Sequence, residues 1–518
     1  MKRFIPAWYS QNQWWESKAE PFYRKRSVTE FDDLISLMSM HHKNEYNFEM
    51  IILNYSPDLR TFLHRHELFE SNYWSVFDEI QGFTHQTPQS VDYRQLHWPK
   101  ETEFIYTPYL IRAITSENSY SNIYFSQDGY LIWIEDFEHK VKRQRYVFDD
   151  RGFLSSVIAF DDKGAPSNIR YMTQDGDWIL QENVNDGAVE VNDHYQHHFN
   201  CRRYLSMEEV IQEHLNHYRE NNIDDCDPII VASDIRHNQL IAETFKPQHL
   251  CFSIFQQRNK GVPKTEFETM VGGQSWLVDT LESERILEAY KEKNDLTQRL
   301  MRITPFDAQV MPNISNQLYE TYIGLWIDGL TDTQVKQIMS QLVHYMEKKE
   351  AIRIVLLTKL ERHHVSTWLL NEITIINDRF NDKSEVPEEI SELMKDEEAI
   401  VYVELKSVPF EMDIVEAIAT LRIVIDLSVE PDLFLQICCL GAGLPQINRN
   451  HTDYVEDGTN GLVITTENDL IAALDYYLEH LKHWNRSYAY SQRLAKNYTS
   501  KKIIEQLDQL IEGDRDGT

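Results

Sequence analysis

The chain has 518 residues, too many for one hydrophobic core, so two or three domains are expected. Hydrophobic residues make up 42% and aromatic residues 12%, which excludes a disordered chain, and a formal net charge of −32 argues against a nucleic-acid partner. Five cysteines (201, 226, 251, 438 and 439), odd in number and without C-x-x-C spacing, suit a reducing compartment rather than a disulfide framework. The N-terminal MKRFIPAWYSQNQWW has too short an apolar run for a signal peptide, and no window of about 18 apolar residues spans a membrane. A cytoplasmic protein is expected, docked on a partner or peripherally at the cytoplasmic membrane face.

The elements then follow in order. Residues 4–9 read as a strand, and Ser27-x-x-Glu30 is a capping box opening a helix whose apolar face is Val28, Phe31, Leu34, Ile35 and Met38. Residues 48–54 are a second strand and 59–69 a second helix, the start of a Rossmann-type layer. The loop after the first strand, Ser10-Gln11-Asn12-Gln13-Trp14-Trp15, has no glycine to bring backbone amides to a phosphate. Its tryptophans are either core or anchors for a partner or lipid surface. Two basic clusters, Arg24-Lys25-Arg26 and Lys140 to Arg145, are either solvated or contacts for a headgroup or partner.

Between residues 104 and 184 the pattern changes. Alternating aromatic runs are separated by Asp128-Gly129, Asp150-Arg151-Gly152, Asp162-Lys163-Gly164 and Asp175-Gly176, which are hairpin signals. The segment reads as an antiparallel meander inserted into the first domain. Because each Rossmann layer buries its own faces, the meander is expected to be a separable module. His194, His197, His198 and Cys201 lack a second ligand pair at motif spacing, so no metal is expected.

Ser206-x-x-Glu209 opens a helix to about residue 220, strands follow at 228–232 and 249–255, and 277–290 reads as a helix. Residues 303–316, with two prolines and no periodicity, are the expected linker. The second domain runs through strands at 322–327, 352–357, 401–405 and 423–427. Helices lie between them at 331–347, 365–376, 387–394 and 412–421, in a doubly wound parallel sheet. Helices at 468–482 and 486–511 close the chain.

Residues 423–463 carry the functional argument. After the 423–427 strand come Glu430, a helix with Leu433, Ile437 and Leu440, and Gly443-Leu444-Pro445, where glycine permits a left-handed stop and proline forbids continuation. A turn at Val455, Gly458 and Gly461 leads into Leu462. This unit resembles the nucleotide-binding half of a GT-B glycosyltransferase. Its loop and helix read E-G-F-G-L-x-x-x-E-A-x-x-x-G-x-P in that family, and its later turn reads V-x-x-G-x-x-G-x-L. The resemblance implies a GT-B-like α/β fold, two Rossmann-type domains facing a cleft, with the last helix crossing back to the first.

It also implies a donor site that has been lost. Aligned back from Gly443, Glu430 keeps the first glutamate, but the ribose-binding glutamate becomes Cys438, a poor acceptor that cannot bridge two hydroxyls. The Gly-Phe-Gly positions become Pro431-Asp432-Leu433, placing a carboxylate where a diphosphate would lie. The arginine and lysine positions fall on Asp328 and about Thr333, and the paired glycines of the facing loop on Arg449 and Asn450. Arg449 is the one residue able to rescue an anion site. No G-x-S-x-G elbow, Walker A loop or H-E-x-x-H replaces these groups.

Over essentially its whole length, from FIPAWY and the Trp14-Trp15 pair through the aromatic meander to the degenerate C-terminal half, the chain resembles the accessory Sec family that forms the first of the Asp series in Gram-positive cocci. The resemblance implies a non-enzymatic, cofactor-free component of accessory Sec export of a serine-rich repeat adhesin. It would act with the second and third subunits of the series, the accessory motor ATPase and the translocon channel. The alternatives are an active retaining GT-B transferase acting on the adhesin and a lectin-like binder of the glycosylated adhesin. The expected domains are residues 1–103 and 186–310 (first Rossmann domain), 104–185 (inserted sheet), 311–484 (second Rossmann domain) and 485–518 (crossing helix).

Overall fold

A computed structural model describes residues 1–10, 13–24, 32–84, 87–259, 264–383 and 400–512. Lys25, Arg26, the Ser27-x-x-Glu30 capping box and the 387–394 helix lie outside them. The chain divides into two compact units, one of residues 1–305 together with the segment from Gln506, the other of residues 306–505.

The first unit holds a seven-stranded parallel sheet. Its strands are β1 (Lys2–Ile5), β2 (Phe48–Ile52), β3 (Asn72–Ser75), β14 (Ile229–Ala232), β15 (Leu250–Ile254), β16 (Ser275–Val278) and β17 (Arg299–Arg302), in spatial order β17-β16-β15-β14-β1-β2-β3. The central strands are apolar runs buried on both faces, the signature of a parallel sheet under helices. Three short strands escape the sequence pattern. Asn72–Ser75 and Arg299–Arg302 are edge strands with polar residues, and Ser275–Val278 occupies the start of the segment read as a helix from 277, whose helix runs Leu281–Asn294.

Ten antiparallel strands, β4 (Glu103–Tyr106) to β13 (Arg203–Tyr204), form a second sheet in the same unit. It extends past the expected boundary at 185, because Val189–Val191 and Arg203–Tyr204 continue the ladder. Gly129, Gly152, Gly164 and Gly176 all have φ between 80° and 90°, which is why Asp-Gly turns punctuate the sequence here.

The expectation of a separable module is corrected by two features. Tyr171, Ile179, Leu180, Val189 and Val191 of the ten-stranded sheet belong to one core cluster with Ile5, Ile51, Phe77, Trp14 and Trp15. Second, the Asp149–Gly152 turn between β8 (Val141–Phe148) and β9 (Leu154–Phe160) is a docking point. Arg60, in the Leu59–Arg65 helix and completely buried, donates from Nε to Asp150 Oδ1 at 2.7 Å, from Nη2 to Asp149 Oδ2 at 2.8 Å and from Nη1 to Asp78 Oδ2 at 3.1 Å. Arg151 completes the cluster through Asp78 Oδ1 at 2.8 Å and Asp149 Oδ1 at 2.6 Å. Excising the sheet would strip the core and leave Arg60 without two of its carboxylates.

The second unit holds a six-stranded parallel sheet of β18 (Thr321–Trp326), β19 (Ile352–Thr358), β20 (Val403–Ser407), β21 (Leu421–Asp426), β22 (Gln446–Asn448) and β23 (Gly461–Val463), in order β20-β19-β18-β21-β22-β23. All seven residues of β19 are buried. The Asp332–Lys348 helix opens on a capping box, with Thr331 Oγ1 accepting from the Gln334 N–H at 3.3 Å and Gln334 Oε1 from the Thr331 N–H at 2.9 Å. Leu421 begins a strand rather than ending the preceding helix, which runs Glu411–Ile418.

The long C-terminal helix expected from 486 is broken into Leu481–Leu494, a 3-10 turn at Ala495–Tyr498 and Ser500–Glu512, because Thr499 is extended at φ −69°, ψ 150°. Residues 485–505 stay with the second unit. Ser487 Oγ donates to the Asn460 carbonyl at 3.2 Å and Gln492 Nε2 to that of Gly441 at 3.0 Å. From Gln506 the helix belongs to the first unit, where Ser275 Oγ donates to the Leu510 carbonyl at 3.2 Å and Lys2 Nζ lies 2.5 Å from Asp508.

His237, at the C-terminal end of β14, supplies a pH test of the first unit. It is fully buried, with Nδ1 2.5 Å from the Tyr9 hydroxyl and Nε2 2.8 Å from the Ala232 carbonyl, so the neutral ring is both acceptor and donor. Burial depresses its pKa to about 4. With the folded pKa below the unfolded value of about 6.5, this contribution is present above pH 6.5 and lost as pH falls towards 4. At about 1.4 kcal/mol per unit it amounts to about 3 kcal/mol. Urea unfolding of wild type and His237→Gln between pH 7.5 and 4 should show the stability gap closing by about that much. A gap independent of pH would contradict the assignment.

Candidate functional site

In open α/β sheets, ligands bind outside the carboxyl ends of the strands, where the strand order reverses. In the second unit that point lies between β18 and β21, and three loops meet there: the residues after Trp326, after Thr358 and after Asp426. Asp328 accepts from the Thr358 hydroxyl at 2.5 Å and the Lys359 N–H at 2.7 Å. Lys359 Nζ reaches over to Asp432 Oδ2 at 2.5 Å. Asp432 also caps the Leu433–Ala442 helix, its Oδ1 accepting from the Leu435 N–H at 2.9 Å.

Behind them Asp426, fully buried, accepts at Oδ1 from the Ser428 N–H at 3.0 Å and at Oδ2 from the Asp432 N–H at 3.0 Å. The Ser428 hydroxyl lies 2.6 Å from the same Oδ1 and 2.8 Å from the Glu430 carbonyl. Burial pushes the Asp426 carboxyl up to about 6 against these hydrogen bonds. The lysine ammonium is therefore paired with Asp432, and the helix N-terminus that would suit a phosphate is already occupied by the same carboxylate.

Apart from Glu430, the remaining sequence-derived site residues are engaged or buried. Arg449 pairs with Glu467, and Asn450 Nδ2 donates to the Val429 carbonyl at 2.5 Å, tying two loops together. Cys438 and Cys439 are fully buried among Trp326, Leu435, Leu444 and Trp484, and burial pushes both thiols up, so they pack as neutral small residues. Glu430 is exposed. Gly443 is left-handed (φ 72°), and a Cβ there would sit 2.2 Å from the Tyr488 ring.

Sequence reasoning missed Lys359, Thr358, Ser428 and Asp426. The signal was Thr358-Lys359 directly after the apolar run 352–357, at a strand's C-terminal end. It also missed Gln436 and Asn448, buried amides whose side-chain nitrogens and oxygens have no hydrogen-bond partner.

The corresponding point of the first unit, between β1 and β14, is also filled. Tyr9, Trp14 and His237 pack there, with Tyr9 and Trp14 ring centroids 4.8 Å apart. Arg236 is held by Asp234 at 2.6 Å and the Ser10 carbonyl at 2.6 Å, and Arg258 by Asp32, Asp33 and the Ser253 carbonyl. Trp14 and Trp15, candidate lipid or partner contacts on sequence, are core residues at 3% and 6% exposure, and Trp15 Nε1 donates to Glu182 at 3.3 Å. An indole pair in a glycine-free loop is ambiguous, and here burial of its large apolar area decides it. Arg24 is exposed. Among the described residues, no helix is long and apolar enough to cross a membrane.

A family model, that of the accessory Sec system protein numbered first in the Asp series, matches residues 1–513. The chain belongs to this accessory Sec family. A member of the family from Staphylococcus aureus is 46% identical over all 518 residues, covering both chains completely. A chain in the solved assembly of accessory secretory proteins 1, 2 and 3 of Streptococcus pneumoniae is 27% identical, with a TM-score of 0.78 over 99% of each chain. The pneumococcal O-GlcNAc transferase GtfA, solved with UDP and GlcNAc, is 12% identical with a TM-score of 0.65 over 99% of each chain. That likeness shows the fold alone: this accessory Sec family member is GT-B-like, with an added ten-stranded antiparallel sheet.

Proposed function

We propose that the chain is a non-catalytic subunit of the accessory Sec export machinery. It acts with the second and third subunits of the Asp series and the accessory motor ATPase in exporting a glycosylated serine-rich repeat adhesin from the cytoplasm. The observation that carries the non-catalytic part is the Asp328–Thr358–Lys359–Asp432–Asp426 network, which engages the polar groups at the switch point of the second sheet with one another. A sugar nucleotide needs a two-acceptor carboxylate for ribose, free backbone amides and a countercharge for its diphosphate. By motif alignment Cys438 stands in the place of the first, while Asp432 takes up the helix N-terminus and Lys359 is paired with Asp432. The solved assembly of the pneumococcal relative with proteins 2 and 3 supports the partners.

Docking is assigned to exposed aromatics around β4, an edge strand of the ten-stranded sheet. Tyr106 and Tyr109 are 67% and 59% exposed, and Phe22 is 46% exposed. Any membrane contact at the cytoplasmic face would be peripheral, through Arg24 with Lys25 and Arg26, each basic residue contributing about 1 kcal/mol near an anionic surface.

The test is a deletion strain carrying its adhesin. Adhesin should accumulate inside the cell with its sugar content unchanged by mass spectrometry, and the full chain should restore export and co-purify with the second and third subunits. Adhesin that loses sugar on deletion would favour the transferase reading. Direct capture of the glycan by the isolated chain would favour the lectin-like one.

A further inference from the structure

The carboxyl edge of the second sheet carries large apolar side chains in the open. Strands β20, β19, β18 and β21 lie side by side in that order. Leu360 follows β19, Phe410 and Met412 follow β20, and Val429 follows β21. All four are between 49% and 67% exposed. Single apolar residues are ordinary at a surface, but large ones gathered on the loops of one edge mark an interaction site.

The loops that carry them are tied down. Ser407 Oγ donates to the Leu360 carbonyl at 2.7 Å and the Val408 N–H to the Thr358 carbonyl at 2.8 Å, which holds the loops after β19 and β20 together. Lys359, next to Leu360, is paired with Asp432, and Asn450 donates to the Val429 carbonyl. The Glu411–Ile418 helix opens directly after Phe410, whose N–H donates to Asp413 at 3.0 Å. A surface already fixed in this way loses little conformational freedom when a partner docks.

The charge around the apolar row is acidic. Among the described residues, Asp328, Asp332, Glu411, Asp413 and Glu430 pair with no cation; Asp328 and Asp413 accept from neutral donors. The cations Lys359, Lys406 and Arg449 are each held by a carboxylate, that of Asp432, Glu404 and Glu467 respectively. Arg362 follows Glu361 in the turn after Leu360, and Lys336 lies over the Trp368 ring. Unpaired carboxylates therefore outnumber unpaired cations at this edge.

An acidic rim repels an anionic lipid surface, and in a chain of net charge −32 it repels a second copy. It complements a segment with one apolar face bordered by basic residues, which is the pattern of an amphipathic helix. We propose that this edge is a docking surface for a cationic amphipathic helix of a partner protein. The apolar face of that helix seats on Leu360, Phe410 and Met412, and its lysines or arginines meet Glu411, Asp413 and Glu430. The proposal does not rest on the non-catalytic reading, because it uses the exposed residues of the edge and not the network behind them.

The test is fluorescence anisotropy of a dye-labelled leucine–lysine peptide of about 18 residues, its leucines at helical spacing, titrated with the full chain at about 0.15 M salt. Saturable binding is expected, with none of a leucine–glutamate peptide of the same spacing. Phe410→Ser combined with Met412→Ser should weaken it about tenfold, and Glu411→Lys combined with Glu430→Lys about fivefold. Glu288→Lys combined with Glu292→Lys makes the same charge change on the exposed face of the Leu281–Asn294 helix and should leave the affinity unchanged. Circular dichroism checks each fold; if the Phe410 and Met412 variant does not fold, the two charge variants decide. No saturable binding, equal affinity in the folded Phe410 and Met412 variant, or an equal loss in the Glu288 and Glu292 variant would each overturn the proposal. So would phosphatidylglycerol vesicle binding, or a dimer in sedimentation, that the Phe410 and Met412 variant abolishes, since either assigns the surface to another occupant.

Discussion

Replacing Arg60 by alanine is expected to lower the unfolding free energy of the first unit by about 3–5 kcal/mol, the range for breaking a buried ion pair from one side. The guanidinium is completely buried and holds Asp78, Asp149 and Asp150 together. Without it, Asp150 is left among the described residues with the Thr61 N–H at 2.8 Å, and Arg151 is left to neutralise Asp78 and Asp149. Burial already raises the Asp150 carboxyl to about 7 while Arg60 pulls it down, so removing Arg60 raises it further. A raised carboxylate pKa costs stability that is recovered on protonation, so the deficit of Arg60→Ala should shrink as pH falls from above 8 towards 7 and level off below it. Guanidinium unfolding followed by tryptophan fluorescence at pH 8 and 5.5 reads both effects. A loss under about 1 kcal/mol at pH 8 would contradict the docking role given to this cluster.

Trp15→Ala should cost about 3–5 kcal/mol, as for other buried large-to-small substitutions. The ring packs against Trp14, with centroids 5.8 Å apart. Its N–H serves Glu182 and its carbonyl accepts from the Tyr55 N–H at 2.8 Å. Burial pushes the Glu182 carboxyl up to about 7, so losing the indole donor leaves that group, among the described residues, with the Tyr171 hydroxyl at 3.1 Å. Unfolding midpoints measure the loss, and cell fractionation separates it from a surface role. The folded fraction of Trp15→Ala should partition between cytosol and membrane as wild type does. Neutralising Arg24, Lys25 and Arg26 together should leave stability within about 0.5 kcal/mol and reduce any salt-sensitive membrane fraction. A Trp15→Ala protein of unchanged stability that no longer fractionates with membranes would reverse these assignments.

The parallel strands were the most legible part of the sequence, because burial on both faces writes an uninterrupted apolar run, as in Ile352–Thr358 and Leu421–Asp426. The hairpins of the ten-stranded sheet were legible through Asp-Gly turns, which glycine's left-handed backbone requires. Edge strands such as Asn72–Ser75 were not, since one exposed side frees their composition. The attachment of the ten-stranded sheet was hidden for a different reason. Asp150-Arg151-Gly152 reads as an ordinary turn, and only the fold brings Arg60, 90 residues away in sequence, into its carboxylates. At the candidate site Asp432 and Cys438 are legible by their position in a motif. Lys359 belongs to another strand's loop and meets Asp432 only through the parallel register of β18, β19 and β21.

The claim that the switch point of the second sheet no longer holds a sugar nucleotide is tested most directly by calorimetric titration of the full chain with uridine diphosphate, its glucose derivative and its N-acetylglucosamine derivative. With the Lys359 ammonium paired to Asp432, its backbone N–H taken by Asp328, and the Asp432 N–H taken by Asp426, no saturable binding is expected. Saturable binding of any of the three tighter than about 100 μM, equivalent to roughly 5.5 kcal/mol, would contradict it.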